Sequence, residues 1–150
     1  VGGNTDLEQK ELYDRVDDAV CAVKSALEEG ILPGGGLSLY NLGNDYEVAT
    51  IDEENLEKKI AYAILAKALQ APLEQILSNA GHDNVYLGRK TEKNEGFDVK
   101  NERWGNMYDM GIIDPMKVTR SALQNAISVA ITILSTNAIV TIKRKKDANI

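Results

Sequence analysis

Apolar positions recur at helical spacing along most of this chain. From Thr5 to Glu29, Leu12, Val16, Ala19, Val20, Val23, Ala26 and Leu27 fall three or four residues apart and predict one long amphipathic helix. Asn4 or Thr5 can cap it, Asp6 and Glu8 suit its positive end, and Gly30 stops it. Leu37, Leu39 and Leu42 predict a short second helix from Gly34, ended by Gly43-Asn44, with a loop or short extended piece over Asp45 to Thr50. Asp52-Glu53-Glu54 opens a third helix with Leu56, Ile60, Ala63, Ile64 and Ala68 on its apolar face. The run Ala61 to Leu69 is apolar almost all round, which predicts a buried central helix. Pro72 should break or kink it, and Leu73, Ile76 and Leu77 resume the pattern as far as Gly81.

The character then changes. Asp83 can cap a short helix through Lys90, and the glycine-punctuated aromatics of residues 96 to 111 predict a hairpin turning between Lys100 and Glu102. Asp114-Pro115 starts a last helix, with Pro115 at its first position and Asp114 as its cap. Its buried stripe is expected at Val118, Ala122, Ala126, Val129, Ala130, Ile133 and Leu134. Ala138 to Ile142 is β-rich and predicts a terminal strand that pairs with a further piece of the same protein or with a neighbouring chain. The fold class is therefore mainly α, with a small hairpin and a terminal strand.

Composition narrows the chemistry. At 150 residues, 43% hydrophobic and 27% charged, the chain is expected to form a globular domain. Its net charge is −6 and its one basic run is Lys143 to Lys146, so a nucleic-acid partner is not expected. A single cysteine, Cys21, and no apolar stretch of membrane length suggest a cytoplasmic protein, with Cys21 as a packing residue. One histidine, His82, argues against a histidine-based metal site. Val1-Gly2-Gly3 has no initiator and reads as the interior of a longer chain.

Two features could carry function. The first is Gly34-Gly35-Gly36, downstream of the carboxylate of Asp18 on the incoming helix. Three adjacent glycines are expensive to order. They suit either close packing of backbone against backbone or close approach of backbone to a ligand. The second is Asp114. By spacing alone, Asp18 reads as a solvated helix carboxylate.

Four stretches together resemble the group I, GroEL-type chaperonins. They are Arg15-Val16-Asp17-Asp18-Ala19, then Glu28-Glu29-Gly30 with Pro33 to Gly36, then Ala71-Pro72-Leu73 with Gln75-Ile76, and the run from Gly105 to Gln124. The resemblance covers nearly the whole chain. It implies the returning helix of the intermediate domain over 1–29, the C-terminal half of the equatorial domain over 30–146, and a tail over 147–150. It also implies ATP hydrolysis in the service of protein folding. Asp18 matches the acid that positions the attacking water. Gly35 matches a backbone position beside the nucleotide sugar. Asp114 matches the acid that bonds the ribose hydroxyls, and Asp98, Val99 and Lys100 fall where the adenine is contacted.

The chain departs from the family in several places. Asp98-Val99-Lys100 replaces an Asn-Ala-Ala pattern, and Pro33 stands where alanine is expected. The Asp-Gly-Thr-Thr-Thr phosphate loop and the apical domain are not in this sequence. The resemblance thus implies ATP, with magnesium held by residues outside this chain and potassium as a companion ion. It implies a homo-oligomeric double ring, and a co-chaperonin and unfolded polypeptides engaged through the apical domain. No membrane partner is expected. Alone, this chain is expected to turn over no ATP, and the apolar surfaces of 56–77 and 116–134 are expected to lie partly uncovered. The competing readings are a non-enzymatic helical interaction module and a stand-alone nucleotide enzyme; the latter needs a phosphate cradle that these residues do not supply.

Overall fold

In a computed structural model, described here for residues 2–83, 92–138 and 140, the chain opens with α1, Asp6–Glu29. Thr5 caps it, its hydroxyl accepting from the Glu8 N–H. Gly30 ends it at φ 89°, its own N–H donating to the Ala26 carbonyl at 2.8 Å. Next comes β1, Ile31–Pro33, paired antiparallel with β4, Ile113–Pro115. The pattern along the chain does not announce this ladder, because three-residue strands are too short to show a period of two.

The second helix, α2, spans Leu37–Asp52, so the predicted stop at Gly43-Asn44 and the loop over Asp45 to Thr50 do not occur. The reason is tertiary. A Cβ on Gly43 would lie 2.9 Å from the Ala66 carbonyl oxygen, so this glycine is where α2 presses its backbone against the next helix. That helix, α3, spans Leu56–Asn79. Gln70 on α3 donates to Asn44 at 3.0 Å and to Glu47 at 3.1 Å, and Tyr46 meets Tyr62 with centroids 5.7 Å apart. These contacts repay the propensity lost by keeping glycine inside a helix.

The acids at 52–54 do not open α3. Asp52 closes α2, and Asn55 caps α3 by accepting from the Lys58 N–H. Nor does Pro72 break α3, which continues through it. The missing N–H forfeits one helical bond. Ala66, Leu69, Leu73 and Leu77 anchor one buried stripe on both sides of it.

The hairpin forms as predicted. Strand β2, Glu95–Asp98, pairs with β3, Arg103–Asn106, in the register Asp98 to Arg103. The last helix, α4, spans Met116–Leu134. Pro115 is its N-cap rather than its first helical residue, and Asp114 lies within β4 and caps nothing. The short helix predicted over 83–90 and most of the strand predicted over 138–142 fall outside the described residues.

The core is small. Leu37, Leu73, Leu77 and Met107 are buried together, with Phe97, Val99, Trp104 and Ile112 packed on them. Thus the start of α2, the end of α3, the hairpin and the run into β4 share one centre. Other apolar faces are open. No residue of α4 is buried, so its predicted stripe is not covered by the described residues. Val118, Val129, Ile133 and Leu134 are exposed, as are Leu56, Ile60 and Ile64 on α3. This agrees with the uncovered surface expected for 56–77 and 116–134. On α1, Val16, Val20, Val23, Leu27 and Cys21 are also exposed, so Cys21 is not a packing residue in this structure. Among the described residues, no helix is long and apolar enough to cross a membrane.

Candidate functional site

The β1–β4 ladder builds the site. Leu32 pairs with Asp114, and the Gly34 N–H donates to the Ile112 carbonyl at 2.9 Å. The ladder thereby brings the glycine turn and Asp114, almost eighty positions apart in sequence, to one place. Asp114 is half-buried, and burial pushes its carboxyl above the usual value. Among the described residues nothing donates a hydrogen bond to its carboxylate or forms an ion pair with it. The nearby cations of α4 are committed elsewhere. Lys117 pairs with Glu28, and Arg120 grips Glu29 through two bonds, Nε at 2.9 Å and Nη2 at 2.5 Å. An unpaired, partly desolvated carboxylate is a cost that structure alone does not explain, and such groups cluster at functional sites.

Asp114 also lines an apolar cleft of about 910 Å³ between α3 and α4, walled by residues such as Ile64, Ala68, Val118 and Ala122. A carboxyl held above its ordinary value in the folded chain binds its proton more tightly there than when unfolded. Its contribution to stability is therefore greatest below the ordinary carboxylate range and is lost as the pH rises through the raised value. Asp114→Asn is expected to raise the unfolding free energy at neutral pH and to flatten its decline from mildly acid pH. Urea unfolding at the two pH values checks this, and an unchanged pH slope would refute it.

Each glycine of the turn has an internal reason. A Cβ on Gly34 would lie 3.0 Å from the Ile113 nitrogen, and one on Gly36 would lie 2.9 Å from the Leu73 nitrogen. Gly35 has φ 64°, and its Cβ would point at Met107 at 3.4 Å, into the core rather than outward. Close packing of backbone against backbone thus accounts for Gly34 and Gly36. At Gly35 the left-handed backbone favours glycine whatever lies outside.

The hairpin places the other candidates differently. Asp98 is 7% exposed, and its carboxylate faces its own turn. It accepts from Asn101 Nδ2 at 2.6 Å, from the Lys100 N–H at 3.0 Å and from the Asn101 N–H at 3.3 Å, and Arg103 Nε stands 3.8 Å away. The Asn101 side-chain bond above all holds its carboxyl below the usual range. Its contribution to the turn is present above the ordinary Asp range and disappears on acidification through the lowered value. Val99 is half-buried against the core and Lys100 is exposed. Met107 connects the two halves, since it lies beneath both Gly35 and Gly96.

Asp18 is not brought to this place. It is exposed on α1, and its side chain makes no hydrogen bond or ion pair among the described residues. It stands twelve residues before Gly30, about 18 Å up the helix axis.

The sequence profile of the TCP-1/cpn60 chaperonin family matches residues 1–144. The chain belongs to that family. Its chaperonin relatives include a chaperonin GroEL of Orientia tsutsugamushi, 43% identical over 94% of this chain and 26% of its own length. Another is chaperonin GroEL 3 of Psychromonas ingrahamii, 42% identical over 99% of this chain and 28% of its own length. The chain thus spans about a quarter of the length of these relatives. Among solved structures, a group III chaperonin in the open state superposes with a TM-score of 0.83 at 28% identity, covering 93% of this chain and 30% of that one. The mainly helical fold expected of a chaperonin is therefore the fold observed.

Periodicity missed the acid pair Glu28 and Glu29, which tie this chaperonin chain's first helix to α4 across Gly30. A signal was present. Two acids end a helix that has no base in its last turn, against the helix dipole, so they call for cations from elsewhere. The Arg120 bond holds the Glu29 carboxyl below the usual range.

Proposed function

We propose that this chain works as the C-terminal part of an ATP-driven folding chaperonin, carrying the nucleoside side of the nucleotide site and the acid that positions water. Residues 1–29 form the intermediate-domain helix, 30–146 the C-terminal part of the equatorial domain, and 147–150 a tail. The observation that carries this reading is Asp114. A half-buried carboxylate without a described partner sits mid-strand beside the glycine turn, in a chain matched to the chaperonin family over 1–144.

The residues present fit the nucleoside. Asp114 offers two acceptor oxygens, which suit the vicinal hydroxyls of a ribose. Gly35 presents its backbone beside the sugar, in a left-handed conformation at φ 64° that favours glycine. Val99 and Lys100 border the base, while Asp98 serves them by holding their turn. Bound ATP supplies the phosphoryl group, with magnesium and potassium held mainly by residues outside this chain. Phosphoryl transfer asks the protein for positioning rather than covalent help. Asp18 supplies an acceptor that orients the attacking water once α1 is turned toward the site. Gly30 favours such a turn, because its φ of 89° is open to glycine and a Cβ there would meet nothing within 4 Å.

The open apolar faces of α3 and α4 are of the kind that monomeric proteins seldom leave exposed. In this reading they are covered by the remainder of the longer polypeptide. The complete protein is a cytoplasmic homo-oligomer of ring form, and its co-chaperonin and unfolded polypeptides bind outside this chain.

Titration calorimetry of Mg-ATP into the isolated chain tests the reading. The expected result is no detectable heat at millimolar nucleotide, with helix content confirmed by circular dichroism. Saturable tight binding would instead mean that these residues form a complete site alone, and the reading would be wrong.

A further inference from the structure

His82 is the chain's single histidine, and the fold fixes its position firmly. Gly81 adopts φ 77° and donates to the Ser78 carbonyl at 3.0 Å, while the His82 N–H donates to the Leu77 carbonyl at 2.9 Å. This pair of bonds is the Schellman closure of α3, and it sets the residue that follows the glycine. From there the imidazole makes two contacts with the hairpin. It meets Phe97 of β2 edge-on, with centroids 5.3 Å apart and planes at 74°. Its Nε2 lies 3.7 Å from Glu102 Oε1. Glu102 is the one non-glycine residue with positive φ among the described residues, at 50°. It directly follows the stretch 98–101 in the hairpin turn.

We propose that His82 is a positioning residue for the nucleoside side of the site. It clamps the β2–β3 hairpin at Phe97 and at Glu102, sets the placement of Val99 and Lys100, and grips more tightly when its imidazole is protonated. The proposal rests on the nucleotide reading above. Imidazole is the side chain whose charge ordinarily changes near neutrality. Among the described residues, Glu102 faces it from the hairpin, and Asp83 follows it in the chain. Arg103, next to Glu102, is turned to Asp98 at 3.8 Å. Neutral imidazole keeps the Phe97 contact and loses the attraction to Glu102.

The test compares the full-length protein with its His82→Gln and Glu102→Gln variants at pH 6 and pH 8. Both substitutions keep the α3 closure, which is made by backbone groups. The first readout is amide-exchange protection of residues 95–106 without nucleotide. The second is ADP affinity, taken as the ratio of wild type to variant at each pH so that the ligand's own titration cancels. For a partly exposed pair, wild type is expected to exceed each variant about two- to fivefold at pH 6 in both readouts; at pH 8 it is expected to match Glu102→Gln and to exceed His82→Gln by less than at pH 6, through the Phe97 contact that remains. Hairpin protection that keeps its pH dependence in His82→Gln would overturn the clamp. Protection that follows the prediction while the ADP ratios stay at one would overturn the positioning role. If wild type bound no ADP at all, the nucleotide reading would fall and the positioning role with it, while the exchange readout would still show whether the clamp exists.

Discussion

Asp18→Ala in the full-length chaperonin is expected to cut ATP turnover about 10²- to 10⁴-fold, the usual worth of a positioned acid–base group. Nucleotide affinity should change little. Asp18 is exposed and without a described partner, so its removal should also leave stability within about 0.5 kcal/mol. That separation makes the experiment informative. A loss of turnover without loss of folding or binding is the signature of a group used only in the reaction. Asp18→Asn should fail nearly as badly, because an amide is a poor substitute for an anionic acceptor. Steady-state turnover beside a binding isotherm checks both. Variants that keep their turnover would leave Asp18 a solvated carboxylate on an exposed helix.

Gly36→Ala is expected to destabilise the chain by about 2–5 kcal/mol, a large part of the stability of an ordinary domain. Two costs add. Gly36 has φ 81°, where an L side chain is strained. Its Cβ would also stand 2.9 Å from the Leu73 nitrogen and 3.1 Å from the Leu73 Cα. Both are backbone atoms of α3, and they cannot rotate away as a side-chain tip could. Relief requires parting α2 from α3 beside Leu37 and Leu73, at the centre of the core. Gly30→Ala separates the two costs. It carries positive φ into open space, so it should lose only about 1–3 kcal/mol from strain. Urea unfolding of the two variants measures the difference. Equal losses would mean that the α2–α3 approach yields easily and that strain alone matters.

How much of this was legible varies by element. The first helix, its Thr5 cap and its Gly30 stop were readable, because caps and 3.6-residue spacing act locally. The hairpin was readable from its glycine and aromatic punctuation. The boundaries of α2 and α3 were not. Gly43 is a stop signal by propensity, yet here it is the contact that lets two helix backbones meet. Asp114 was legible as a candidate from the residues and from resemblance to the chaperonins, but its place in β4 was not. A three-residue strand takes its identity from its partner, and that partner, β1, lies far away in sequence.

By itself the sequence determined the helices, the hairpin, the family and the candidate acids, since these follow from local spacing and from residues read in order. Only the tertiary structure decided that the glycine turn and Asp114 share one ladder, that Asp98 faces its own turn, that His82 reaches Glu102, and that Asp18 stands apart on an exposed helix. Each of these depends on which surfaces meet across long stretches of chain. Periodicity says that a face is apolar, and only packing says what it touches.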